Sequence, residues 1–198
     1  MSQTDTDKRG RRDGGRRRER DEIPPERQAE ARRQIRVVGD PVLREDAKPV
    51  TRFDDELAEL SRRMIRVMQD APGVGLAAPQ VGVVRRVIVY QVDEEPVTLV
   101  NPEIVWSSDE TEVLDEGCLS VPGVTVPVER PTAIRVLGHD LQGERREYDA
   151  ADLEARVIQH ETDHLNGVLI LERTSRQERA RALRELREGV PAPTGTGL

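Results

Sequence analysis

The sequence predicts an α+β domain, built of mostly antiparallel short strands around a central helix, with an N-terminal helix before them and a C-terminal helix after. Three patterns point that way. From Asp54 to Asp70 the apolar residues Leu57, Leu60, Met64, Val67 and Met68 recur at three- and four-residue spacing, which gathers them on one helix face. Between Arg85 and Arg146 the chain turns to short Val-rich runs broken by Pro and Gly, the mark of strands and tight turns. A second helical pattern then carries Leu153, Val157, Ile158 and Leu165.

Each element follows from local chemistry. Patterning begins near Gln34, where Ile35, Val37 and Val38 precede the turn signature Gly39-Asp40-Pro41. The first helix ends at Pro72 and Gly73. Strands are expected at Val87–Val92, Val97–Val100, Glu112–Leu114 and Ile134–Gly138. Asp140-Leu141-Gln142-Gly143 reads as a hairpin turn into a strand through Glu147 and Tyr148. Asp149, with Asp152 three residues on, is expected to cap the central helix, which Asn166-Gly167 closes. A last helix starts at Ser175, whose capping-box partner is Glu178, and runs to about Glu188.

Composition bounds the rest. A chain of 198 residues with 35% apolar content suits one domain. With one Trp, one Phe and two Tyr, its core must be aliphatic. The formal charge of -7 gives no general reason to expect nucleic-acid binding, and no apolar run approaches the roughly 18 residues that span a bilayer. A single cysteine, Cys118, excludes an internal disulfide framework and suits a reducing compartment. Residues 1–33 mix eleven Lys or Arg with eight Asp or Glu and lack the apolar stretch of a secretory signal. They are expected to be a disordered charged tail, 34–188 the folded unit, and the Pro/Gly/Thr-rich 189–198 a second disordered tail.

Three segments carry chemistry. His160-Glu161-Thr162-Asp163-His164 puts two imidazoles at i and i+4 on one face of the central helix, within reach of one metal ion. Glu161 sits beside the first of them, where it can take a proton from an attacking water. Catalytic metals usually take three protein ligands, and the lone Cys118 in Glu116-Gly117-Cys118-Leu119-Ser120 is the obvious third. A buried inert thiol and a Cys–His nucleophile are the alternatives for it. The third segment, Gly73-Val74-Gly75-Leu76-Ala77-Ala78-Pro79-Gln80, offers glycines for close backbone approach and a Gln amide able to donate to a developing oxyanion. Alone it reads equally as a linker.

Together and in this order, GVGLAAPQ, EGCLS and QHETDHLNG resemble the three motifs of the peptide deformylases, over roughly Ile35 to Glu188. The resemblance implies a hydrolase that removes the N-formyl group from the formyl-methionine of new proteins and releases formate. It implies that Cys118, His160 and His164 hold one divalent metal, Fe(2+) natively, with Zn(2+), Ni(2+) or Co(2+) able to replace it. Glu161 is then general base and acid, and Gln80 with the backbone N–H of Leu119 forms the oxyanion site. Substrate should lie as a strand along Val74, Gly75 and Gly117. Val74, Glu116, Leu153, Arg156 and Val157 should line the methionine pocket, Arg156 through its alkyl stem. The partners implied are N-formylmethionyl peptides and nascent chains, with transient ribosome proximity, for a monomer in the bacterial cytoplasm with no membrane or specific nucleic-acid partner.

The resemblance departs at Thr125, where many members carry a basic residue. Arg130 could pair with Glu116 or be a solvated surface group. Three rival readings have less support. A zinc peptidase would want a downstream third ligand, yet no His follows His164. A structural metal module or silent relative has no use for Glu161 and Gln80. Docking of residues 1–33 on ribosomal RNA is weakened by a local charge of only about +3, eleven cations less eight acids.

Overall fold

The computed structural model describes residues 23–189. Helices α1 (Pro25–Arg33) and α2 (Asp55–Asp70) precede strands β1 (Gly75–Ala77), β2 (Val87–Tyr90), β3 (Val97–Ser107), β4 (Thr111–Cys118), β5 (Val121–Pro131), β6 (Ala133–His139) and β7 (Arg145–Ala151). Helices α3 (Asp152–Leu165) and α4 (Arg176–Glu188) complete the α+β order. All strand pairs are antiparallel, in a five-stranded sheet ordered β1-β2-β3-β6-β7 and a separate β4-β5 pair.

Strand β2 explains how the layers stack. Its residues Val87, Ile88, Val89 and Tyr90 are all buried, because successive side chains point to opposite faces. Val87 and Val89 join Leu57, Met64 and Met68 of α2, while Ile88 and Tyr90 join Ala155, Ile158 and Leu165 of α3. The large sheet is thus covered by one helix on each face. A third cluster ties Val126 and Val128 of β5 to Leu169 and Leu171, which precede α4, and to Ala182 within it, and includes Cys118.

Several expectations meet their structure closely. Ser175 caps α4 by accepting from the Glu178 amide, and Asp54, which was not singled out as a cap, does the same for α2 by accepting from that of Leu57. The β6–β7 hairpin turns on Asp140, whose carboxylate accepts from the amides of Gln142 and Glu144, with Gly143 at φ 85°.

Others need correction. Residues 25–33, assigned to the disordered tail, form α1, which buries Ala31 with the following Ile35 against α2 and pairs Arg27 with Asp70 at 2.6 Å. A single buried position among charged residues leaves too little periodicity to signal it. The outer parts of both expected tails, 1–22 and 190–198, lie outside the described residues. Asp149 does not cap α3; it belongs to β7 and accepts from Arg135, and Ala151 holds the cap position. Strand β5 was missed because Pro122, Pro127 and Pro131 mimic turn punctuation. Within the described residues β5 pairs only with β4, so its prolines cost no second ladder.

The end of α3 yields a stability test. Gly167 sits at φ 67°, and a Cβ there would lie 2.7 Å from the Arg44 carbonyl oxygen. Gly167→Ala should combine backbone strain with overpacking, about 3 kcal/mol in all, or a fall in Tm of about 6–12 °C. Gly189, at φ 66° with nothing within 4 Å of the added carbon, should lose only about 1 kcal/mol as Gly189→Ala. Equal losses in thermal melts would refute the collision argument.

Candidate metal centre

The centre is assembled from β4 and α3. Between Gly117 and Cys118 the β4–β5 register shifts, from Gly117↔Thr125 to Cys118↔Val121, and such an irregularity re-aims a side chain. Helix α3 presents His160 and His164 one turn apart. Donor atoms of Cys118, His160 and His164 all lie within 4.8 Å of one another, and all three residues are buried. The Cys118 sulfur is 3.3 Å from His164 Nε2.

Two details bear on whether these groups suit a metal. The Nδ1 of His160 meets Glu116 at 2.9 Å, which leaves Nε2 for another partner. The donor set is one soft thiolate and two imidazoles, a combination that suits zinc or ferrous iron and leaves a fourth position open. The residues fit such an ion.

The flanking groups converge on the same place. Glu161 is buried, its Oε2 lacks a hydrogen-bond partner, and burial pushes its carboxyl up to about 7. It faces Gly75, whose added Cβ would collide with the Glu161 carboxylate. Gln80 is clamped: its Oε1 accepts from the Ala77 amide at 2.7 Å, so its Nε2 donates to Ser120 Oγ at 3.2 Å beside the Cys118 sulfur at 3.8 Å. Leu119 packs close to Gly73, where an added Cβ would stand 2.9 Å from its Cδ1. Segments far apart in sequence therefore meet around Cys118.

The residues expected to bind substrate divide. Val74 is half-buried against the cluster that contains Val157, and Leu153 is exposed at the start of α3. Glu116, expected at the methionine pocket, has 0% exposure. Its carboxylate is instead gripped by Arg130 Nε at 2.6 Å, Arg130 Nη2 at 2.9 Å and Arg156 Nη1 at 2.8 Å. Although burial alone would raise it, the bonds from His160 and Arg130 hold the Glu116 carboxyl down at about 2. Arg156 is likewise buried, with its guanidinium on Glu116 and the carbonyls of Val128 and Glu112. Arg130 is thus no surface group.

Sequence reading missed the contact of Ser120 with Gln80 and the use of Asp163, which accepts from Arg130 and Arg173 at 3.0 Å each. Ser120 lay inside a motif already singled out; nothing local marked Asp163. At Thr125 a cation does arrive from elsewhere, since Arg181 of α4 donates to its carbonyl at 2.7 Å. An open cavity of about 390 Å³ lies along the adjacent face of α3, lined by Gln159, Thr162, Asp163 and Asn166. None of the three clustered donors lines it.

The polypeptide deformylase family model matches residues 32–180. The chain belongs to the polypeptide deformylase family. It is 52% identical over 145 residues to the peptide deformylase of Thermotoga sp. (strain RQ2), covering 73% of this chain and 88% of that one. To the Acidothermus cellulolyticus peptide deformylase it is 50% identical over 156 residues, 79% of this chain and 86% of the relative. The crystal structure of the Synechococcus elongatus peptide deformylase in complex with actinonin superposes with a TM-score of 0.75 at 45% identity, covering 77% of this chain and 85% of that one. As a member of this family the chain is a metal-dependent hydrolase that removes the N-formyl group from nascent peptides, which disposes of the zinc-peptidase rival.

Proposed function

We propose that Cys118, His160 and His164 hold one divalent ion, natively Fe(2+), and that Glu161, Gln80 and the Leu119 N–H carry out deformylation beside it. The observation that supports this reading best is the Cys/His/His donor cluster next to a buried carboxylate with an unpartnered oxygen. When bound, the metal supplies Lewis acidity and makes water a competent nucleophile at neutral pH. Glu161 takes the proton from the attacking water and later delivers it to the departing amine. Gln80 Nε2 and the Leu119 amide donate to the oxygen on which negative charge develops.

The substrate backbone is proposed to add as an extended strand along Val74, Gly75 and Gly117. In support, β1 is the edge of the large sheet and β4 pairs only with β5 among the described residues, so both keep a free edge for main-chain hydrogen bonds. The methionine side chain is placed near Val74, Leu153 and Val157. We further propose a monomer of the bacterial cytoplasm that works in transient proximity to the ribosome. No helix among the described residues is long and apolar enough to cross a membrane.

The test is formate release from formyl-Met-Ala-Ser by protein purified without oxygen, with its metal quantified. Chelation should abolish release, and Fe(2+), Zn(2+), Ni(2+) or Co(2+) should restore it to differing degrees. A folded, fully metallated protein that releases no formate would sink the assignment. Ser120 adds a smaller prediction. Loss of one neutral hydrogen bond to Gln80 is worth about 1 kcal/mol, so Ser120→Ala should lower kcat about fivefold with KM little changed.

A further inference from the structure

Two elements carry the clustered donors: Cys118 ends β4, while His160 and His164 lie on α3. Something must hold strand and helix at the right separation. We propose that Arg130 is a positioning residue that closes a buried ring between them and so preassembles the metal site. The proposal rests on the Cys/His/His reading above.

The ring can be followed atom by atom. His160 Nδ1 meets Glu116 Oε2 at 2.9 Å, and Glu116, two residues before Cys118 on β4, receives both Nε and Nη2 of Arg130 from β5. The remaining arm of the same guanidinium, Nη1, donates to Asp163 Oδ2 at 3.0 Å, back on α3 and one turn beyond His160. A planar fork with fixed donor directions does this; a lysine ammonium does not. Arg130 occupies a position in β5 where the alternating burial of Val124, Val126 and Val128 calls for another aliphatic side chain. Its side chain is 5% exposed and that of Glu116 is 0%.

Stability alone does not explain the arrangement. Buried ion pairs are often no better than well-packed apolar groups of similar volume. What charged groups supply and apolar ones cannot is direction: the Glu116 carboxylate fixes the tautomer and plane of the His160 ring, and Arg130 fixes Glu116. Arg156 stitches the same join from the other side, while Arg173, half exposed, ties Asp163 to the outside of the ring.

Loss of groups that orient metal ligands typically costs 10–100-fold in affinity. Transfer of bound Zn(2+) to a chromogenic chelator should therefore be about 100-fold faster in Arg130→Met and about 10-fold faster in Asp163→Asn, one bond further out. The Co(2+) forms of both should show shifted, weaker visible bands, including the thiolate band, whereas a merely structural role would lower Tm and leave the bands in place. If Arg130→Met does not fold, Asp163→Asn decides. Wild-type release rates and Co(2+) bands in the folded variants would overturn the ring's role while leaving the metal site intact. Failure of the unmodified protein to bind Co(2+) with a thiolate band would overturn the metal reading, and the ring with it.

Discussion

Glu161→Gln is expected to slow formate release by about 10²–10⁴-fold, the usual worth of a positioned general base, which corresponds to about 3–5 kcal/mol of barrier. Metal content should not change, because Glu161 is not among the clustered donors. Nor should the fold suffer. Glutamine has the same shape, and it removes a carboxylate that is held buried with one unpartnered oxygen, an arrangement that costs folding free energy. The variant should therefore melt no lower than its parent. Measured kcat/KM for formyl-Met-Ala-Ser, metal per chain and Tm together decide: near-parental turnover with full metal would remove Glu161 from the chemistry, and a matching loss of metal would make it a ligand.

What the sequence disclosed and what it hid follow from how far apart the interacting residues stand. His160 and His164 share a helix turn, so their spacing alone juxtaposes them. The Ser175 cap and the Asp140 turn are equally local, and each was readable in a window of a few residues. Strand β5 hid behind its prolines, which are tolerated because β4 is its sole strand partner among the described residues. The union of Glu116, Arg130 and Asp163 spans 14 and 33 residues of chain from Arg130, and no local pattern reports such distances. Even there the sequence left a trace, an Arg in a strand row otherwise aliphatic.

That trace has a wider bearing on the site. Glu116 was assigned to a methionine pocket on the strength of its motif position, yet all its hydrogen-bonding capacity faces Arg130, Arg156 and His160. A motif thus identifies a residue as required without saying whether it meets substrate or supports the group that does. Glu116 lies two residues from Cys118 and bonds to His160, so it touches both halves of the ligand set. The methionine pocket proposed at Val74, Leu153 and Val157 is apolar, which suits that side chain.

Gly75→Ala is expected to approach the loss predicted for Glu161→Gln, at least about 10²-fold in kcat, since a misplacement of about 1 Å in a catalytic group can cost that much. The added Cβ would collide with the Glu161 side chain, with Oε1 and Cδ of the carboxylate and the adjoining Cγ all in collision range. Gly75 lies in β1, pinned by pairing with Tyr90, and Glu161 lies on a buried helix, so the two backbones have little room to part. The carboxylate must swing away from its present position. Gly73→Ala supplies the contrast, since its Cβ would press on Leu119 Cδ1, the end of a flexible side chain. That variant should lose about tenfold or less, the cost of a shift well under 1 Å. Formate assays on both variants at equal metal loading separate the cases, and a fully active Gly75→Ala would mean that Glu161 does its work from somewhere other than where it stands here.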